Sequence, residues 1–249
     1  MPGSPDSEGR VRVCIRPRPL TSEETKHGSC LSLTDNSITI QNNNSKAHHS
    51  TIKQFHFDSV FSTNTSQEDV YDTVAHPIIS DALKGYNGTI LAYGQVSPSS
   101  QLIIDWKWKD PYHGQLQQPH PWYTPGIIPR CLSQIFSSIA GDTDHSYSIS
   151  VSYLQLYMEV LSDLIYPESQ GIVIREDPDE GVFLQNTARI SVTSLDQCID
   201  LLESGNKNRV TAGHDLNQQS SRSHAIAIVY LEKDLEQVMT SQLFTLNCF

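Results

Sequence analysis

Long apolar runs are missing from this 249-residue chain: none could span a bilayer, and the N-terminal stretch does not have the form of a signal peptide. Cysteine is scarce. The five that occur, Cys14, Cys30, Cys131, Cys198 and Cys248, are dispersed, odd in number and without C-x-x-C spacing, which suits a reducing cytosol. Basic residues are few as well, 17 Lys and Arg against 28 Asp and Glu, and the resulting formal charge of −11 argues against a nucleic-acid surface. His48-His49 has no second ligand cluster nearby and reads as solvated loop rather than metal site. Internal repeats, collagen-like periods and heptads are absent too, so the sequence itself carries no solenoid or coiled coil.

What is present can bury one α/β domain: 37% of the residues are apolar. Strand-like segments fall at about Val11–Arg16, Gln54–Asp58, Gly88–Tyr93, Ser148–Tyr157 and His224–Glu232, apolar on both faces as in a covered central sheet. Helices are expected between them. Thr65 and Glu68 have capping-box spacing ahead of Val70, Tyr71 and Val74, Pro77 should add a bend, and Gly85 suits a C-terminal stop. Ser194 and Gln197 repeat the cap before Cys198, Leu201 and Leu202. Residues 1–9 are expected to be disordered, and Gln41–Ser50 reads as a polar loop.

The densest chemistry lies in Asn217-Gln218-Gln219-Ser220-Ser221-Arg222-Ser223-His224. Adjacent hydroxyls can reach a Mg²⁺ and a phosphate oxygen, and Arg222 offers a fixed fork for a carboxylate; the bland reading is a polar loop of ordinary turn residues. Upstream, Arg16-Pro17-Arg18-Pro19-Leu20 follows the first strand-like segment, pairing a rigid apolar proline surface with a stackable guanidinium. Three more runs stand out in order: Gly85-Tyr86-Asn87-Gly88-Thr89-Ile90-Leu91-Ala92-Tyr93-Gly94-Gln95, Pro125-Gly126-Ile127-Ile128-Pro129-Arg130, and Val151-Ser152-Tyr153-Leu154-Gln155-Leu156-Tyr157-Met158-Glu159.

Together these resemble the kinesin motor domain: N-x-x-S-S-R-S-H its switch I, R-x-R-P the motif after its first strand, and G-Y-N-G-T-I-x-A-Y-G-Q the approach to its phosphate loop. The wording of Ser148 to Glu159 is closest to the ungrouped, plant-type kinesins that carry armadillo repeats after the motor. The resemblance implies an α/β, P-loop NTPase fold with a central mixed sheet flanked by helices, here incomplete, over residues 10–249 as a partial motor domain. It implies ATP and Mg²⁺ as ligands and microtubules as partner, with no nucleic acid and no membrane, in the cytoplasm on the cytoskeleton; dimerisation would run through a tail outside this chain. By the same resemblance Arg16, Arg18 and Pro19 approach the adenine, and Tyr93, Gly94 and Gln95 open the phosphate loop. Asn217, Ser220 and Ser221 sense phosphate and metal, with Ser221 on Mg²⁺, and Arg222 pairs with a switch II glutamate. No residue is assigned as catalytic.

Where the family has G-Q-T-x-x-G-K-T, this chain reads Gly94-Gln95-Val96-Ser97-Pro98-Ser99-Ser100-Gln101. Ser100 stands at the lysine position, and Pro98 removes an N–H that such a loop would aim at phosphate. The segment 96–123 is therefore aberrant, in place of the phosphate loop and the start of the following helix. All three tryptophans, Trp106, Trp108 and Trp122, fall inside it, and six of the 13 prolines lie between Pro98 and Pro129. Pro111, Pro119 and Pro121 each oppose a helix by about 3 kcal/mol.

The genetic code accounts for the substitution. Asp105 to His113 can be encoded by GAC TGG AAG TGG AAA GAC CCA TAC CAT, and one base later that DNA, continued into the first G of the Gly114 codon, reads T-G-S-G-K-T-H-T-M. Both glycines are forced, because TGG before the A of a lysine codon must yield GGA. Gln95-Val96-Ser97 can be CAG GTA AGT, a splice-donor consensus, and Ile104 with the first base of Asp105 can supply an acceptor. Val96 to about Tyr123 then reads as intron followed by a phosphate loop out of frame, with a compensating shift before Pro125.

The D-L-A-G-S-E of switch II is not in the sequence, nor are the later elements that form most of the family's microtubule face; the low basic content is expected to reflect that. The strand before switch II is expected to be missing from the sheet, leaving unpaired edges and an aggregation-prone chain. Two rivals remain. A natural pseudo-motor would hold tubulin or a partner motor without hydrolysis, although degeneration would be expected to erode Asn217 to His224 as well. Another P-loop NTPase class is disfavoured because R-x-R-P, Y-G-Q and S-S-R-S-H occur together in kinesin order.

Overall fold

The computed structural model describes residues 11–26, 28–42, 51–94, 125–178, 181–211, 223–235 and 238–248. Residues 1–9, the 96–123 segment and Asn217 to Arg222 lie outside these. The described residues form two units, one ending at Val70 and the other beginning at Tyr71.

In the first unit, β1 (Cys14–Ile15) pairs in parallel with β5 (Ser59–Val60), and backbone bonds from Asp58 to Val13 and from Phe61 to Ile15, both 2.9 Å, extend the contact. A short helix α1 (Ser22–Thr25) starts at a complete capping box, Thr21 with Glu24. A three-stranded antiparallel meander follows: β2 (Leu31–Leu33), β3 (Ser37–Asn42) and β4 (Thr51–His56). Strand β3 takes in Gln41 and Asn42, which sequence reading assigned to a loop. Helix α2 (Gln67–Val74), of which only residues 67–70 belong to this unit, is capped one residue later than expected. Ser66, not Thr65, accepts from the Asp69 amide at 3.0 Å, and Thr65 instead pairs with Ser62. Among several adjacent hydroxyls, the one that reaches the third helical N–H wins.

In the second unit, the helix breaks at Ala75 and resumes as α3 (His76–Ala82) with Pro77 in its first turn, where a missing N–H costs nothing; Gly85 follows at φ +115°. The main sheet contains β6 (Gly88–Ala92), β7 (Ser146–Tyr157), β8 (Val160–Asp163), β11 (Ile190–Val192), β12 (Ser223–Leu235) and β13 (Val238–Cys248). Its path runs β11-β7-β12-β13-β6, with β8 paired to β7. The three strands expected to share one sheet do so. The expectation that a strand is missing between them is overturned: β13 pairs antiparallel with β12 along its length and parallel with β6, so neither strand presents an open edge there. The open edges from which aggregation was expected are thus filled by β13.

Burial explains the order. Residues 149–154 of β7 are buried without interruption, as a strand covered on both faces must be, and Val151 and Tyr153 have no exposure. Helix α4 (Ile127–Gly141) contributes Cys131, Leu132 and Ile135, and α5 (Leu195–Thr211) contributes Cys198, Ile199 and Leu202. Burial alone pushes the Cys198 thiol up to about 12, which keeps it an inert apolar group. The Ser194–Gln197 cap forms as expected, the Gln197 amide donating to Ser194 Oγ at 3.2 Å. Gly205 in α5 marks a close approach: a Cβ there would sit 2.5 Å from the Tyr153 ring. A hairpin of β9 (Val173–Asp177) and β10 (Gly181–Gln185) returns to the sheet where Leu184 packs with Leu154, Ile172 and Ile228.

Candidate functional site

In the first unit, β1 delivers Arg16 into a polar hold. Its Nη2 donates to Gln67 Oε1 at 3.0 Å and its Nη1 to the Thr65 carbonyl at 3.5 Å, while partial burial lowers its pKa by desolvation. Arg18 is committed differently. Its two terminal nitrogens reach the two Glu24 carboxylate oxygens at 2.7 and 2.6 Å, a bidentate fork, and Nη1 also donates to the Pro19 carbonyl. The Arg18 hydrogen bonds, then the Thr21 amide, pull the Glu24 carboxyl down to about 2. Arg18 thus serves the cap of α1, a role that sequence spacing did not reveal. Pro19 is exposed beside it.

The second unit holds the other described site residues. Tyr93 and Gly94 follow β6 directly; Tyr93 is 86% exposed, and Gly94 takes φ +152°, a backbone that side chains disfavour. Register gives the decisive geometry. Ala92 of β6 pairs with Cys248 of β13, and Cys248 pairs with Ala225 of β12. The exit of β6 toward Gly94 and the entry of β12 at Ser223 therefore lie at one end of the sheet, two strand spacings or about 10 Å apart. That is the carboxyl end of the parallel pair β6 and β13, the place where α/β sheets receive ligands. Gln95, Asn217, Ser220, Ser221 and Arg222 lie outside the described residues.

A second constellation was missed by sequence reading. Asp163, at the end of β8 and 1% exposed, accepts from the amides of Ile165 (2.8 Å) and Tyr166 (3.0 Å) through Oδ1, and from Ala188 N (2.8 Å) and Thr187 Oγ1 (3.3 Å) through Oδ2. Asn208 of α5 closes the turn by donating to the Leu164 carbonyl at 2.7 Å. A buried carboxylate with every bond made to its own fold is an architectural clamp, and the only sequence signal was an Asp ahead of an apolar pair. Among the described residues no group of His, Cys, Asp and Glu could hold a metal ion, and no helix is long and apolar enough to cross a membrane.

Comparison with known proteins agrees with this geometry. The kinesin motor domain family model matches residues 16–247. The kinesin-like protein KIN-UA of Oryza sativa subsp. japonica is 36% identical over 226 residues, covering 88% of this chain and 22% of that protein. KIN-UB of Arabidopsis thaliana is 35% identical over 234 residues, 91% of this chain and 24% of that protein. Among solved structures, that of a fast kinesin, reported for its ATPase mechanism and interactions with microtubules, superimposes with a TM-score of 0.78 at 27% identity. It covers 95% of this chain and 64% of its own. The chain thus spans about a quarter or less of these two relatives and under two thirds of the solved motor. With the sheet order, the shared strand end and a match from Arg16 to Asn247, the chain belongs to the kinesin motor domain family.

Proposed function

We propose that this chain is part of a microtubule motor domain of the kinesin family whose phosphate-binding loop is lost as written, so that it does not hydrolyse ATP. The row Ala92, Cys248, Ala225 supports the reading, because Gly94 and Ser223, which by resemblance belong to the phosphate loop and switch I, then leave and enter their strands at one sheet end, as coupling of nucleotide state to a switch requires. The residues fit ATP and Mg²⁺ only in part. On the base side, Arg16 presents a guanidinium held at both ends. On the phosphate side, Val96 to Gln101 offers neither lysine nor cradle glycines, and no step is derived through the nucleotide.

The loss is best explained by the out-of-frame T-G-S-G-K-T-H-T-M in the codons of 105–114, which would make residues 96–123 a product of intron retention and frameshift rather than of selection. The plant relatives KIN-UA and KIN-UB support a place near the ungrouped plant-type kinesins, although mouse chromosome-associated kinesin matches at a similar 35%. Intact family members use ATP hydrolysis to move on microtubules in the cytoplasm. For this chain, any fraction that pellets with microtubules should be the same with Mg·ATP, with Mg·ADP and without nucleotide. Release by ATP would contradict the proposal. Saturable pelleting that ignores nucleotide would instead favour the non-catalytic pseudo-motor that binds tubulin or a partner motor.

A further inference from the structure

Gln67, the first residue of α2, is almost without exposure (4%), yet it carries an amide. Its Oε1 accepts from Arg16 Nη2 at 3.0 Å, while its Nε2 is buried with no hydrogen-bond partner among the described residues. Exchanging the two amide atoms would set N–H against guanidinium, so the bond to Arg16 fixes which way the amide faces. A side chain kept for packing alone would be apolar, since a buried donor left unpaired costs stability. The bond to Arg16 is what the amide supplies that an apolar side chain could not.

Arg16 in turn is gripped at both terminal nitrogens, by Gln67 and by the Thr65 carbonyl, and these two holds define its plane. It remains partly exposed, and no aromatic ring among the described residues stacks on it. A guanidinium already held loses less rotamer freedom when a ring settles on its face. We infer that Gln67 is a positioning residue that presents Arg16 as a fixed plane for stacking on a purine base. The inference rests on the base-side reading of Arg16 given above.

The test uses adenosine, which has no phosphate and so makes no demand on the altered loop, with the 249-residue protein in saturation-transfer NMR titrations. The parent should bind adenosine weakly and Arg16→Ala should abolish binding. Gln67→Met should weaken it roughly tenfold, the worth of a hydrogen bond to a charged group. Gln67→Glu keeps the acceptor and should retain parent affinity, and Arg16→Ala with Gln67→Met should be no worse than Arg16→Ala alone. A merely structural Gln67 would lower the melting temperature of folded Gln67→Met and leave its affinity unchanged, which overturns the inference while Arg16 keeps its role. If Gln67→Met does not fold, loss of adenosine binding in folded Gln67→Glu overturns it instead. A parent that ignores adenosine, or an Arg16→Ala that binds like the parent, overturns both readings.

Discussion

The purified 249-residue protein should release phosphate from Mg·ATP no faster than a no-protein control, with or without microtubules. Phosphoryl transfer offers the protein little covalent chemistry, so its rate comes from positioning and fixed charge around the γ-phosphate. Three such contributions are gone together. Ser100 replaces the lysine, Ser99 the second cradle glycine, and Pro98 removes a backbone donor. Each preorganised electrostatic contribution of this kind is worth on the order of 10²-fold or more, and their joint loss takes turnover below detection. The intact order of strands around Gly94 does not compensate, because strand ends place a loop but supply no charge. Microtubule-stimulated turnover above the control would show that another group holds phosphate.

Asp163→Ala should destabilise the chain by about 3–5 kcal/mol, because several hydrogen bonds to a carboxylate, each worth about 1.5–3 kcal/mol, are lost together. The carboxylate satisfies the amides of Ile165 and Tyr166 on its own turn and, from across the fold, the Ala188 amide and the Thr187 hydroxyl, all within 3.3 Å. Alanine leaves those donors facing the space of a side chain that was only 1% exposed, where water has little access. Set against a typical total of about 5–15 kcal/mol, the loss leaves little of the native state. Asp163→Asn, which keeps one full acceptor, should cost less. Urea midpoints measure both, and an Asp163→Ala shift worth under about 1 kcal/mol would mean that the 187–188 segment is held by something else.

The covered strands were legible in sequence because burial on both faces leaves little room for large polar side chains: Ala225 to Val229 is apolar throughout, and Ile149 to Leu154 is broken only by the small Ser150 and Ser152. Pro77 and the Ser194 cap were legible for a local reason: their physics spans four residues. The meander β2-β3-β4 was mostly missed because it is half exposed and polar, with Ile52 62% exposed on β4. Strand β13 was missed for a different reason. The family wording D-L-A-G-S-E is absent from the sequence, whereas pairing with β12 and β6 requires only a backbone able to extend and donate. The Arg18–Glu24 fork and the Asp163 clamp are long side-chain contacts across turns, which no periodicity encodes.

Whether the altered segment belongs to the natural protein decides the account, and the mature transcript records it. Sequencing cDNA across the codons of Gln95 to Pro125 should find G-Q-T-G-S-G-K-T directly after Tyr93, with the codons of Val96 through Ile104 removed. A mature message that retains those codons would contradict the frame argument and leave a chain that folds as a motor domain without the means to hold phosphate.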